Sequence, residues 1–182
     1  MEKSLTHIAL FAALIAALGL VPKLDLMSGV PISAQSLGIM LCGTVLGARK
    51  GALAVLLFLG LVAIGLPLLA GGRGGLGVFA GPTVGYLIGF PVAAFVAGLI
   101  TERMPAPIGI AAFAGALLGG AVLLAGFGII GMSVTLGKTL PEAAALALPF
   151  IPGDLIKAGL AGLITRAIAQ MRPGALLSRP AA

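Results

Sequence analysis

The sequence predicts an all-α integral membrane protein of six transmembrane helices, with both termini on the cytoplasmic side. Three observations carry that class. Of the 182 residues 60% are hydrophobic and 9% charged, with a mean hydropathy of +1.22, whereas soluble domains use roughly 25% charged residues. Charges also divide the chain into uncharged intervals at 4–22, 26–48, 51–72, 74–101 and 104–137, of 19, 23, 22, 28 and 34 residues. Each can supply the roughly 20 residues of a spanning helix. A sixth apolar segment, about 143–165, has the right length but carries Asp154 and Lys157. Finally, the alternation of apolar and polar residues that a membrane β-barrel needs is absent. The whole chain, 1–182, reads as one membrane domain.

Helix 1 is expected over about 4–21, retained rather than cleaved as a leader, because "ALFAALIAALGLVPKL" runs on without a small-residue cleavage site. Ala9, Ala13 and Ala17 are spaced by four and share a face, as do Ala12 and Ala16. A smooth alanine stripe in lipid suits close approach of another helix. Pro22, Gly29 and Pro31 break the loop that follows, so helix 2 is short, about 34–47, which places Gln35 below the outer surface. "GARKG" (47–51) reads as an inner turn into helix 3, about 51–66.

The segment "GLPLLAGGRGGLGVFAGPTVGYLIGFP" (65–91) is the least helical, with eight glycines from Gly65 to Gly85. Backbone of that kind at membrane depth has to be buried in protein or line a cavity. Helix 4 follows at about 83–101 and helix 5 at about 107–131, then a polar loop at 132–140. Thr139 and Glu142 form a capping-box start for helix 6, about 141–169, with a break near Pro149 and Pro152.

The net charge of +6 is an orientation signal rather than a sign of a nucleic-acid partner. With the amino terminus inside, Lys3, Arg49, Lys50, Arg103, Arg166, Arg172 and Arg179 lie in the cytoplasm, against Lys23, Arg73 and Lys138 outside. One cysteine, Cys42, excludes an intrachain disulfide and suggests no metal cluster. A single histidine, His7, excludes paired-histidine and Ser-His-Asp sites. "GRGGLG" (72–77) lacks the βαβ context of a dinucleotide site. "GMSVTLGKT" (131–139) has five residues between its glycines where a P-loop has four. No cofactor and no ATP site are therefore expected on this chain, and no enzymatic activity. A serine–lysine dyad would need Ser33 or Ser133 beside Lys157, with no other feature in support.

Asp154 and Lys157 are the feature that apolar composition does not explain. Each charge near the centre of a span costs roughly 2.5–3.5 kcal/mol. At i and i+3 the two share a helix face and partly neutralise one another. One reading is an ion pair that only staples helices; the other is a polar ligand site in the outer third of the bundle. Arg73 and the amide-rich loop around it suit an anionic head such as a carboxylate, and Phe79 and Tyr86 could line an apolar pocket.

"GVPISAQSLG" (29–38), the glycine-rich 65–91 stretch and "PGDLIKAG" (152–159) together resemble the BioY family, the biotin-binding S components of energy-coupling factor (ECF) transporters. The likeness extends along almost the whole chain. It implies the six-helix S-component fold, a multi-pass protein of the bacterial inner membrane, and a biotin pocket near the outer face. It further implies partnership with a membrane coupling T component and two ATPase subunits, which bind the ATP. Carried over by position, Asp154 accepts hydrogen bonds from the ureido N–H groups, Lys157 compensates Asp154 and donates to the ring system, and Gln35 and Tyr86 are polar contacts. Gly74 and Gly75 let the capping loop approach the ligand, and Ala9, Ala13 and Ala17 match the stripe that meets the T component. Arg73 as the carboxylate partner rests on its chemistry. The competing reading is a self-sufficient transporter in which Asp154–Lys157 couples to a proton. Self-association is left open.

Overall fold

The computed structural model describes residues 2–23 and 29–179, with side chains from Ser4 onward. Residues 24–28 of the expected outer loop and the side chain of Lys3 lie outside the described residues. Among the described residues six helices longer than two turns form: α1 Glu2–Leu18, α2 Gln35–Leu46, α3 Ala48–Ala63, α4 Val84–Arg103, α5 Ile108–Leu136 and α6 Leu140–Met171. Helices α4, α5 and α6, of 20, 29 and 32 residues, are long and apolar enough to cross a membrane. At 12 residues, α2 extends only about 18 Å and cannot fill a hydrocarbon core of about 30 Å. The space beyond its first turn is occupied by irregular chain, and the candidate site forms there.

Helix α4 is central, packing on α2, α3 and α5, while α6 lies on α2 and α5 and α1 lies on α2 and α3. Small residues make these approaches close. A Cβ at Gly43 of α2 would stand 2.3 Å from the Ala94 carbonyl of α4, and Ala93, Ala94 and Ala97 of α4 are wholly buried. Backbone contact of this kind supplies dispersion energy where lipid removes any hydrophobic drive between helices.

Three of the boundaries that differ from the sequence reading have a local reason. The inner turn before α3 is Gly47 alone, at φ 85°, so Ala48 already belongs to the helix. Its amide, left over by the helix start, donates to Glu102 Oε1 at 2.8 Å. Helix α5 runs on to Leu136 through the expected polar loop. Thr135 donates to the Gly131 carbonyl at 2.8 Å and Ser133 to that of Lys138 at 2.7 Å, so these hydroxyls are satisfied within the helix and its end. Within α5 the stretch Ala116–Leu123 is π-helical. In α6 the expected break is a single 3₁₀ turn, Leu148–Phe150. Pro152 then falls in the first turn of the resumed α-helix, where its missing N–H costs nothing. The capping box is in place, with the Thr139 amide donating to Glu142 Oε2 at 2.8 Å.

The carboxyl-terminal tail closes the end of the bundle opposite the candidate site. The Leu177 and Ser178 amides both donate to the Val45 carbonyl, at 2.8 and 2.9 Å. The Arg179 guanidinium donates to the carbonyl of Thr101, in the last turn of α4, and to those of Met104 and Ala106 just beyond it.

Candidate ligand-binding site

The irregular chain between α3 and α4 folds back as a hairpin. Leu69 and Arg73 exchange backbone hydrogen bonds of 3.0 and 3.2 Å across the loop Ala70–Gly72, in which Gly71 and Gly72 sit at φ 81° and 70°. Glycine adopts that left-handed backbone without a Cβ clash. Gln35, only 2% exposed, anchors the hairpin. Its Oε1 accepts from the Ala70 amide at 2.9 Å, and its Nε2 donates to the carbonyls of Leu68 at 3.0 Å and Ile15 at 3.2 Å. One amide side chain thus joins α1, α2 and the hairpin, with both its N–H groups used.

Under the hairpin lies a cleft walled by the 30–36 segment, the hairpin, α4, α5 and α6. Leu87, Phe90, Leu124 and Phe150 give it apolar sides, and Gln35, Ser36, Arg73, Thr83, Tyr86, Asp154 and Lys157 converge on it. Lys157 Nζ donates to Asp154 Oδ1 at 3.3 Å and to Ser36 Oγ at 2.9 Å. Their side chains are 14% (Lys157) and 17% (Asp154) exposed. The pair therefore does more than staple one helix face: through Ser36 it joins α6 to the first turn of α2. Asp154 also meets the Ser36 side chain and lines the cleft; a carboxylate has about four acceptor positions, so Lys157 and Ser36 leave part of its acceptor capacity unused.

Two further groups await a partner. The Tyr86 hydroxyl is buried and makes no hydrogen bond among the described residues, a condition that costs free energy unless a ligand or water fills it. Its ring lies against Phe150, with centroids 5.7 Å apart and planes at 30°. Arg73 uses Nε on the Ala70 carbonyl of its own hairpin, at 3.3 Å. Its two Nη groups have no protein partner among the described residues, and the side chain lines the cleft.

The structure thus gathers Gln35, Arg73, Tyr86, Asp154 and Lys157 into one cleft and leaves Gly74, Gly75 and Phe79 outside its lining. Gly74 serves the loop itself: a Cβ there would stand 2.2 Å from the Leu66 carbonyl. Phe79, in the 3₁₀ turn Leu76–Ala80, packs on the apolar core. Ser36, Thr83, Phe90 and Phe150 were missed. Ser36 could have been suspected from its place beside Gln35, whereas Phe150 reaches the cleft only because the 3₁₀ turn aims it there. On α1 the two alanine faces are distinguished, for Ala9, Ala13 and Ala17 are exposed while Ala12 is buried and Ala16 partly so.

Residues 2–174 match the model of the BioY family. The chain is 56% identical to the biotin transporter BioY of Rhodobacter capsulatus, over 98% of this chain and 100% of that protein. It is 49% identical to the biotin transporter BioY of Rhizobium etli, over 91% and 92% of the two chains. Among solved structures it resembles the S-component for biotin from an ECF-type ABC transporter, with a TM-score of 0.88, 34% identity and coverage of 93% of this chain and 92% of that one. The family-model match over residues 2–174 and the identity to these relatives along nearly the whole chain place the protein in the BioY family.

Proposed function

We propose that this chain binds biotin in the cleft beneath the 69–73 hairpin and, as the S component of an ECF-type transporter, mediates its uptake across the cell membrane. The observation that carries the reading is the Asp154 carboxylate, held by Lys157 and still open toward an apolar cleft. Biotin offers a neutral ureido ring with two N–H donors, an apolar bicycle and a carboxylate tail. Ionised acceptors make stronger hydrogen bonds than neutral ones, so Asp154 takes the ureido N–H groups. Lys157 and the Tyr86 hydroxyl face the rest of the ring, and Phe90 and Phe150 cover the bicycle. Arg73, with free Nη donors on the hairpin, takes the tail carboxylate. An analogue without the ureido donors would leave the acid unpaired, which is how a site rejects a close relative of its ligand without chemistry.

The protein is a transporter component and not an enzyme. Its energy comes from a T component and two ATPase subunits, with biotin as cargo and no cofactor on this chain. Both termini face the cytoplasm, which puts the cleft on the outer side, since the α1 start and the α6 end share the opposite end of the bundle around His7, Val45 and Arg172. The function is tested by equilibrium binding of radiolabelled biotin to the detergent-purified chain. The expected result is saturable binding displaced by excess unlabelled biotin; non-saturable uptake of label would refute it.

The exposed stripe Ala9, Ala13 and Ala17 is the docking face for the T component. Ala13→Leu is expected to leave biotin binding within twofold of wild type and to lower uptake by the assembled transporter at least fivefold. Normal uptake and normal co-purification with the T component would remove the stripe from the interface.

A further inference from the structure

At the end of the bundle opposite the biotin cleft, a second cleft lies between the α3 start and the α4 end, lined by Arg49, Lys50, Arg103, Glu102, Phe95 and Leu99 among others. Arg49 and Arg103 are exposed and Lys50 partly so, and among the described residues none of the three pairs with a carboxylate. Glu102 is the one acid there. Its Oε1 is occupied by the Ala48 amide at 2.8 Å, so three cations stand against one engaged carboxylate. Their position is unusual locally, since Arg49 and Lys50 fall in the first turn of α3, where the helix dipole disfavours positive charge. The same dipole adds to the attraction for an anion. Directly along α4 the wall turns apolar, with Phe95 38% exposed, and the exposed Leu53, Leu56 and Leu57 continue the apolar surface of α3.

From this juxtaposition we infer that the cleft is a binding site for an anionic phospholipid, its phosphate held by Arg49, Lys50 and Arg103 and its acyl chains laid along Phe95 and Leu99. A cationic rim graded into an apolar wall complements a molecule with a negative head and two apolar tails. A zwitterionic lipid has a compensating ammonium and gains less. Basic pockets between membrane helices select anionic head groups for this reason. A soluble phosphate would use the rim but leave the apolar wall unmatched.

The test is native mass spectrometry of the full chain in detergent, titrated with dioleoylphosphatidylglycerol or dioleoylphosphatidylcholine. The expected result is at least fivefold more of the first phosphatidylglycerol adduct, falling to within twofold in Arg49→Gln/Lys50→Gln/Arg103→Gln. Lys138→Gln, a cation outside this cleft, keeps the preference. Retained biotin binding reports that each variant is folded. Should the triple variant fail to fold, Arg103→Gln alone is expected to lower the preference at least twofold. Sodium phosphate at matched ionic strength leaves the adduct ratio unchanged. Equal uptake of the two lipids by the wild-type chain, or a preference undiminished in the folded variants, overturns the inference. Displacement by phosphate would reassign the rim to a soluble anion and overturn it too. So would a wild-type chain without lipid preference whose variant loses its hold on the T component or the ATPases, for the cleft would then belong to a protein partner.

Discussion

Asp154→Asn is expected to weaken biotin binding at least tenfold, about 1.4 kcal/mol, while the chain still inserts and purifies. Asn keeps the shape of the side chain but removes its charge and turns one acceptor into a donor. The ureido N–H groups then meet a neutral carbonyl or a second donor. The change also leaves Lys157 with Ser36 as its remaining partner, and a half-buried ammonium without its counter-ion destabilises the site. Both effects point the same way, and they separate experimentally. Loss of charge-assisted bonds appears as a lower affinity in protein that melts normally, whereas an unpaired cation lowers Tm in the absence of ligand. Wild-type affinity in the purified variant would remove Asp154 from the ligand contacts.

Gly128→Ala is the second large expected effect, at a residue with no polar chemistry of its own. A Cβ built on Gly128 stands 2.1 Å from Cζ of Tyr86, so the tyrosine ring occupies the space a side chain would need. The added methyl pushes the ring off its place beside Phe150 and moves the unpartnered hydroxyl away from the cleft. Biotin affinity is expected to fall about tenfold, with the cost of overpacking, about 1–3 kcal/mol, seen as a Tm lower by several degrees. Gly126→Ala on the same helix is the control, because nothing lies within 4 Å of its added Cβ, and it should bind normally. If both variants bind alike, Tyr86 is not held in place by Gly128.

These two residues mark what was and was not legible in the sequence. Asp154 announces itself, since a charge in an apolar run has a cost that composition makes visible. The six helices are equally visible, because lipid disfavours charge: five uncharged intervals count five of them, and the sixth is the apolar segment that carries Asp154 and Lys157. Gly128 is one of 29 glycines, and nothing in its neighbourhood says that the ring of Tyr86, on another helix, rests on it. The same holds for the π-helical stretch Ala116–Leu123, whose small residues would suit a regular helix as well. Ser133 and Thr135 looked like loop residues because their hydroxyls are polar, yet a helix can satisfy them on its own carbonyls. The family resemblance makes Gln35 a polar ligand contact. The residue is buried, and three hydrogen bonds to α1 and the hairpin give it the role of holding the cleft's roof.

The short α2 is the physical origin of the site. A helix that begins at Gln35 leaves membrane-depth space, irregular chain fills it, and the amides and carbonyls of that chain are satisfied by Gln35 and by the hairpin's own bonds. What remains is apolar volume with a few polar groups aimed inward, among them an acid whose burial is tolerable only with a partner. Lys157 supplies part of that partnership permanently, and in the proposed function the ligand supplies the rest.

The most direct test of that claim is a crystal structure of the chain with biotin bound. The expected result is an Asp154 carboxylate oxygen within about 2.7–3.2 Å of a ureido nitrogen, with Lys157 still bridging to Ser36. A carboxylate turned to water or lipid head groups, with the ureido ring held elsewhere, would contradict it.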